Sequence, residues 1–257
     1  MIQPQFNIGP ITFHLYGFII ALGAVTGWVI AKKRAKYYKI PEKIFDDYFL
    51  LIPLILAVVG ARIYHVLDYW DFYKTNFLQV FYIQNGGLGL WGAIAGGILG
   101  LFLLCTVKKI NFLASLDLIA PSFALAQAIG RIGNYINQEG FGPPTNLPWK
   151  IFIEPQNRPL SFITSSYFHP TFFYEASLDL IIFASLLYFS KKVKGNGRIF
   201  GTYLILYSTI RFFIELLRID TWVLGGVKVA QVISIFGIIA GIYLLIAKSK
   251  TKPSRLT

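Results

Sequence analysis

Seven apolar stretches, each close to 20 residues long, constrain the fold more than any other feature of this sequence. An α-helix needs about 20 mostly apolar residues to cross the hydrocarbon core of a bilayer, so each stretch predicts one membrane-spanning helix. The sequence therefore predicts an all-α integral membrane protein in which residues 1–257 form a single domain. The seven predicted transmembrane helices cover residues 11–31, 47–67, 86–107, 112–135, 171–190, 199–217 and 229–247.

The composition agrees with a membrane protein. Only 14% of the residues are charged and 55% are hydrophobic, whereas a soluble domain carries roughly 25% charged residues. A single cysteine, Cys105, excludes an intrachain disulfide. We expect no cleaved signal peptide, because residues 1–31 contain neither Lys nor Arg. The longest predicted loop covers residues 136–168.

The basic residues predict the orientation. Sixteen of the 24 Lys and Arg residues lie in the loops after the first, third and fifth segments and in the C-terminal tail. Cytoplasmic loops carry the excess of Lys and Arg, so the prediction is an N-terminus outside and a C-terminus in the cytoplasm. The net charge of +12 could suggest nucleic-acid binding, but its one-sided placement favours topology, or attraction to anionic lipids on the same side.

The residues from Gly130 to Gly142 read GRIGNYINQEGFG and directly follow an apolar run. Polar residues at the end of a membrane-length segment are costly, so by default they indicate a functional site. In a continuous helix Arg131, Asn134 and Tyr135 lie at i, i+3 and i+4 and share one face. The alternative is an ordinary helix end whose arginine reaches the membrane interface.

Two more arginines, Arg62 and Arg211, lie within apolar segments, and the predicted topology places both, with Arg131, in the outer halves of their helices. Guanidinium binds phosphate bidentately and stays charged, so three arginines at one level suggest a site for a phospholipid headgroup. The outer ends of the other helices carry further polar or glycine residues, namely His14, Tyr16, Gly86, Gly87, His169, Tyr174 and Glu175.

One helical face of the sixth segment is polar and is formed by Tyr207, Arg211, Glu215 and Arg218. Intramembrane charges usually pair, so an Arg211–Glu215 pair that only neutralises charge is the alternative to a binding role. Glu175 and Asp179 have the same i, i+4 spacing on the fifth segment. We expect them to balance arginines such as Arg62.

The stretch GRIGNYINQEGFG resembles the signature of the prolipoprotein diacylglyceryl transferase family, with Tyr135 where the family usually has phenylalanine. The resemblance extends over nearly the whole chain. The other stretches that resemble family motifs are His14-Leu15-Tyr16-Gly17, Gly60-Ala61-Arg62, Asn85-Gly86-Gly87, His169-Pro170 with Tyr174-Glu175, and Tyr207 with Arg211, Glu215 and Arg218.

Members of this family transfer the diacylglyceryl group of phosphatidylglycerol to the lipobox cysteine of a preprolipoprotein, which forms a thioether and releases glycerol phosphate. The resemblance implies these two partners, a bilayer, no nucleic acid, and no metal or cofactor. It also implies a place in the bacterial cell (inner) membrane, with the active site on the outer-leaflet side. It implies Arg131, Arg211 and Tyr16 as catalytic residues. The implied substrate-binding residues are Arg131, Asn134, Glu139, Gly142, Tyr207, Glu215, Arg218, Arg62, Gly86, Gly87 and His169.

Within this resemblance each residue type suits its expected role. Preorganised arginines stabilise the charge that develops on a phosphate leaving group, so we expect Arg131 and Arg211 to hold the headgroup and the leaving group. We expect Asn134 and Glu139 to position the glycerol moiety, Tyr16 to orient lipid or thiol, and Gly142 to shape the loop.

One position departs from the family pattern. Some members have a histidine, proposed as a general base, where this chain has Trp91. An indole has only an N–H donor and cannot act as a base. The base is therefore His14, His169 or Glu139, or the electropositive surroundings alone supply enough thiolate. We expect His65 to be a packed helix residue and Cys105 to be a packed small hydrophobe rather than a nucleophile.

Two other functions fit some of these features. A membrane protein that binds or transports phospholipid would explain the arginines but not the signature, and it would need a polar path to the inner leaflet. A catalytically lapsed family member is suggested only by Trp91, and the presence of Arg131, Asn134, Glu139 and Arg211 argues against it.

Overall fold

The structure is a computed structural model that describes residues 5–8, 11–83, 86–191 and 196–247; of residues 5–8, 11–14, 16, 42, 46 and 47 it describes the backbone only. Its helices are α1 (Leu15–Arg34), α2 (Glu42–Ile44), α3 (Leu51–Asp68), α4 (Trp70–Tyr73), α5 (Leu90–Val107), α6 (Phe112–Asn137), α7 (Thr171–Phe189), α8 (Arg198–Leu217) and α9 (Val229–Ala247). Its strands form three two-stranded antiparallel sheets: β1 (Gln5–Ile8) with β2 (Ile11–His14), β3 (Ile151–Phe152) with β4 (Tyr167–Phe168), and β5 (Val223–Leu224) with β6 (Val227–Lys228).

Six helices in the described part of the chain are long and apolar enough to cross a membrane, namely α3, α5, α6, α7, α8 and α9. They coincide with the second to seventh predicted segments within a few residues. The fold is therefore that of a helical, multi-pass membrane protein, as predicted. The predicted count of seven and the orientation of the termini stay predictions.

Three helices begin later than predicted. α3 begins at Leu51 rather than at Asp47, because residues 45–49 form a π-helical turn. α1 begins at Leu15 rather than at Ile11, because residues 11–14 pair with β1 in the register Gln5↔His14 to Ile8↔Ile11. The sequence Ile-Thr-Phe-His alternates apolar and polar residues, a period that favours a strand. The third predicted segment begins its helix at Leu90, because Gly86 and Gly87 have φ of +83° and +78°, outside helical geometry.

The chain packs as two compact units. One is formed by the described residues of 34–115, and the other by those of 1–33 together with 116–257. We call them the contiguous unit and the split unit. That residues 1–257 form one domain stays a prediction.

Glycines bring α3 and α5 of the contiguous unit into backbone contact. A Cβ added at Gly92 would clash with the carbonyl oxygen of Gly60, and one at Gly96 would clash with that of Leu56. At Gly100 an added Cβ would lie 2.7 Å from Cα of Pro53. Small residues at such spacing allow close helix packing in membranes, where van der Waals contact is a main driving force.

The core of the split unit lies between α6, α7 and α8. Ala120 and Ala124 of α6 pack there with Leu186 of α7 and Tyr203 of α8, all of them buried. Small alanines on α6 leave room for the larger side chains of the facing helices, which fills the core without voids. This packing fixes the three helices that carry the candidate site.

A buried carboxylate on α6 caps α8. Asp117 accepts hydrogen bonds from the backbone N–H groups of Gly197 at 3.0 Å and Phe200 at 2.9 Å. The first N–H groups of a helix lack partners within the helix, and the N-terminal end of the helix dipole favours negative charge. Asp117 therefore ties the start of α8 to α6.

Replacing Asp117 with alanine should lower the free energy of unfolding by roughly 2–4 kcal/mol, because two hydrogen bonds to a charged acceptor are lost and the end of a helix is left uncapped. Thermal unfolding of the detergent-solubilised protein measures this. The control is Asp71→Ala, which removes an exposed Asp71–Lys74 pair and should cost less than about 1 kcal/mol. Equal losses in the two variants would contradict the capping role.

Candidate functional site

The polar residues of the signature stretch bind one another. Arg131 Nη1 donates to Asn134 Oδ1 at 2.9 Å, as their predicted common helix face requires. Asn134 Nδ2 in turn donates to Glu139 Oε1 at 3.0 Å, and Asn137 Nδ2 approaches the same oxygen at 3.3 Å. The last turn of α6 and the residues after it therefore form one connected polar surface.

Glu175 on α7 joins this surface to α8. Its Oε1 accepts a hydrogen bond from Arg131 Nη2, and its Oε2 lies 3.2 Å from Arg211 Nη1. Arg211 Nη2 lies 2.6 Å from Oε2 of Glu215, one helical turn further along α8. The contacts thus run without a break from Glu139 through Asn134, Arg131, Glu175 and Arg211 to Glu215. We call these six residues the arginine–glutamate chain.

The side chains of the arginine–glutamate chain are not equally buried. The side chains of Glu175 and Glu215 are 1% and 2% exposed, while those of Arg131 and Arg211 are each 18% exposed. The carboxylates therefore lie behind the guanidinium groups, which keep part of their surface accessible. Nε of Arg131 is buried and has no hydrogen-bond partner among the described residues. The two arginines thus keep the capacity to bind a further anion.

The structure shows which arginines the acidic residues of α7 and α8 contact. Arg211 pairs with Glu215, as the alternative for the sixth segment expected, while a binding role for this pair stays a prediction. Glu175 balances arginines, as expected, and these are Arg131 and Arg211. Asp179 lies one turn further along α7, fully buried, and its two oxygens have no hydrogen-bond partner in the described part of the chain.

The loop after α6 is held in place by backbone contacts. The N–H of Gly140, at a φ of +71°, donates to Asp220 Oδ2 at 2.6 Å, and its carbonyl accepts from Thr171 Oγ1. The N–H of Gly142 donates to the carbonyl of His169 at 2.9 Å. A Cβ at Gly142 would lie 2.9 Å from the carbonyl oxygen of Leu217, so the predicted loop-shaping role has a steric basis.

Arg218 lies just past the end of α8 and closes this loop from the other side. Its Nε and Nη2 lie 3.3 Å from Asp220 Oδ1, the carboxylate that also holds Gly140. Nζ of Lys228 donates to the carbonyls of Arg218 at 3.0 Å and Glu215 at 2.5 Å, which satisfies the end of α8. Asp220 and Thr171 were not predicted; for Asp220 the only local signal is that an acidic residue follows Arg218 by two positions.

His169 belongs to a short aromatic network. Nε1 of Trp149 donates to the hydroxyl of Tyr174 at 2.7 Å, and that hydroxyl lies 3.2 Å from Nδ1 of His169.

Tyr207 stacks on Tyr203 with a centroid distance of 5.8 Å. The split unit therefore brings together the predicted residues of α6, α7 and α8.

Arg62 has a different environment, in the contiguous unit. Each of its five N–H donors lies near a backbone carbonyl, those of Val80, Gly86, Gly87, Gln79 and Tyr82. A Cβ at Gly87 would lie 2.6 Å from the ring of His65 and 2.7 Å from Arg62, so only glycine fits there. With its donors engaged in this way, Arg62 orders the segment after α4. Its predicted contact with the headgroup stays a prediction, as do those of Gly86 and Gly87.

A cavity of about 360 Å³ lies beside Arg62 and is lined by Arg62, His65, Phe72, Tyr73, Gln79, Gly86 and Gly87. His65 packs its ring on Tyr69 at 4.6 Å and on Tyr73 at 5.9 Å between centroids, as expected for a packed residue.

Several predicted residues fall where the structure describes little. Tyr16 lies in the first turn of α1 and His14 at the end of β2, but their side chains lie outside the described residues, as does Asn85. Trp91 lies in the first turn of α5 and is partly exposed. Among the described residues no group of three His, Cys, Asp or Glu side chains could hold a metal ion.

The geometry of the split unit suits anion binding. Two guanidinium groups converge on one carboxylate and keep part of their surface accessible, so they can offer N–H donors to a further anion. Such fixed donors can stabilise charge that develops on a leaving group without reorganising during the reaction.

Comparison with known proteins identifies the family. The family model of prolipoprotein diacylglyceryl transferase matches residues 3–247. A protein of Finegoldia magna is 42% identical over 251 residues, which cover 97% of each chain. One of Clostridioides difficile is 41% identical over 259 residues, covering 100% of this chain and 99% of the relative. One of Acaryochloris marina is 43% identical over 237 residues, or 91% of this chain and 85% of the relative.

All three relatives are named phosphatidylglycerol--prolipoprotein diacylglyceryl transferase. The matches cover nearly the whole chain, including all residues of the arginine–glutamate chain. This protein therefore belongs to the prolipoprotein diacylglyceryl transferase family.

Proposed function

We propose that this protein transfers the diacylglyceryl group of phosphatidylglycerol to the cysteine thiol in the lipobox of a preprolipoprotein. The bond between the thiol sulfur and the glycerol carbon forms, and the bond between that carbon and the phosphate oxygen breaks. The thiol proton is released, and glycerol phosphate leaves. The observation that carries this proposal is that Arg131 and Arg211 converge on one carboxylate, that of Glu175. Both arginines belong to stretches that resemble motifs of the prolipoprotein diacylglyceryl transferase family.

The arginines have the central role in this reaction. As the bond to phosphate breaks, negative charge grows on the leaving oxygen, and two fixed guanidinium groups stabilise that charge. Asn134 and Glu139 extend the site from Arg131 toward the loop, where they position the glycerol moiety. Gly142 keeps the loop close to α8, and Tyr16 orients the lipid or the thiol.

The attacking group must be a thiolate. A free cysteine has a pKa of about 8.5, and neighbouring cations lower the pKa, so the arginines favour the reactive form of the acceptor. A base at His14, His169 or Glu139 takes up the proton, or the cationic surroundings release it to water. Nδ1 of His169 is within hydrogen-bond distance of the Tyr174 hydroxyl, which would orient the imidazole.

The membrane topology completes the proposal. We propose that α1 is a seventh span, since its residues from Leu15 to Ala31 carry no charge. The asymmetry of Lys and Arg then gives an N-terminus outside and a C-terminus in the cytoplasm. The arginine–glutamate chain lies at the outer-leaflet side of the bacterial cell membrane, where the acceptor cysteine of an exported precursor arrives.

The test uses purified protein in liposomes that contain phosphatidylglycerol and a lipobox peptide. Release of glycerol phosphate and a gain in peptide mass by one diacylglyceryl group are expected. A peptide with serine in place of cysteine is the control and should give neither. Folded protein that binds the lipid without turnover would instead indicate a lipid-binding protein or a lapsed family member.

Replacing Trp91 with alanine should lower the rate of transfer by less than about tenfold, because an indole can donate a hydrogen bond but cannot accept the thiol proton. The same liposome assay measures it, with thermal unfolding to confirm folding. The reference is Arg131→Ala, for which a far larger loss is expected. A folded tryptophan variant as inactive as the arginine variant would contradict this expectation.

A further inference from the structure

Glu175 occupies the place between the two arginines where an anion would bind. Each of its oxygens contacts a different guanidinium group, Oε1 that of Arg131 and Oε2 that of Arg211. Phosphate offers oxygens to guanidinium groups in the same bidentate manner as carboxylate. A phosphodiester that approached the two arginines would therefore compete with Glu175 for the same N–H donors.

The two arginines depend on this carboxylate when no lipid is present. Two positive charges held this close repel each other strongly in surroundings of low dielectric constant. Arg211 has a second carboxylate, Glu215, whereas the only carboxylate that pairs with Arg131 in the described part of the chain is Glu175. Without Glu175, Arg131 would have no anionic partner until substrate arrives.

The burial pattern gives the exchange a direction. Glu175 is almost fully buried, while each arginine keeps part of its surface accessible. An incoming phosphate therefore reaches the guanidinium groups from the side opposite to Glu175. It can form its first contacts before any contact to the carboxylate is given up.

We propose that Glu175 is a positioning residue that holds Arg131 and Arg211 at the spacing of a phosphate, and that it gives up at least one of them when the phosphodiester binds. The exchange breaks a carboxylate–guanidinium pair and forms a phosphate–guanidinium pair, with no transfer of protons or electrons. The phosphodiester in this inference rests on the proposed function. What is new is that Glu175, a residue of the site itself, competes with that phosphodiester for the two arginines.

This role predicts opposite effects on binding and on turnover. In Glu175→Gln the arginines lose their competing anion, so glycerol 1-phosphate should bind about tenfold more tightly to the purified protein in detergent, as measured by calorimetry. Turnover in the liposome assay should fall at least about 100-fold, because the guanidinium groups are no longer held in register. A merely structural role would weaken binding and turnover together.

Asp179→Asn is the matched control. Asp179 lies on the same helix and is equally buried, but it makes no hydrogen bond to either arginine. The variant keeps the size and polarity of the side chain and frees no arginine donor. Its affinity for glycerol 1-phosphate should change by less than about threefold, because the charges that meet the phosphate stay the same.

Unchanged or weaker binding in Glu175→Gln would overturn the proposal, as would an equal gain in Asp179→Asn. If Glu175→Gln does not fold, Glu175→Asp takes its place. The shorter side chain keeps the charge but cannot bridge both arginines, so binding should tighten about threefold, and unchanged binding would again overturn the proposal. Because binding is measured without turnover, a protein that proves unable to transfer lipid can still pass or fail this test.

Discussion

Replacing Arg131 with alanine should lower the rate of diacylglyceryl transfer by about 1000-fold or more, because one fixed donor that stabilises the leaving group is lost. The loss is expected to exceed that of a single neutral donor, since Arg131 also anchors Asn134 and shares Glu175 with Arg211. The liposome assay for glycerol phosphate release measures the rate, and thermal unfolding in detergent shows whether the variant folds.

Arg158→Ala is the matched control for this variant. Arg158 belongs to the same unit and donates to the backbone carbonyls of Ile153 and Ile163, within the loop of residues 136–168. Its removal should change the rate by less than about threefold, because these hydrogen bonds stay within that loop. A folded Arg131 variant that keeps a tenth of the wild-type rate would contradict the proposed role.

Replacing Gly96 with alanine should lower the free energy of unfolding by roughly 2–4 kcal/mol, because the new Cβ meets backbone atoms of α3 that cannot rotate away. The added Cβ would clash with the carbonyl of Leu56 and lie 3.2 Å from Cα of Ala57. The two helices would have to separate, and the close contact along their whole length would weaken. Thermal unfolding in detergent measures the effect.

The neighbouring glycine provides the control. A Cβ at Gly97 would lie 3.6 Å from Cβ of Ala57, an ordinary van der Waals distance. Gly97→Ala should therefore leave stability unchanged or raise it by up to about 1 kcal/mol, since alanine favours the helix over glycine. Similar losses of stability at both positions would contradict the proposed role of close backbone contact between α3 and α5.

The sequence was sufficient to predict the helices but less so where they begin. An apolar run of membrane length allows little other than a helix, because every backbone polar group in a bilayer must be hydrogen-bonded within the segment. The start of α1 at Leu15 could not be placed from the run alone, since Ile11 to His14 are compatible with a helix until a partner strand is known. The start of α5 depends on two glycines with positive φ, which an apolar count does not register.

The site was predictable in its residues and less so in its contacts. Helical spacing on α6 and α8 correctly placed Arg131 beside Asn134 and Arg211 beside Glu215. Spacing within a helix does not identify partners on another helix, so the sequence could not specify that Glu175 pairs with Arg131 and Arg211. The contact between Gly140 and Asp220 joins residues 80 positions apart, and no local pattern marks such a pair.

The only sulfhydryl of this chain has a consequence for the chemistry proposed here. Cys105 is buried near the end of α5, with its Sγ 3.4 Å from the hydroxyl of Ser115. An enzyme that alkylates cysteines with lipid risks modifying itself wherever it exposes a thiol. Because the chain has one cysteine and packing shields it, no thiol of its own competes with the precursor, and self-lipidation is avoided by the placement of a single residue.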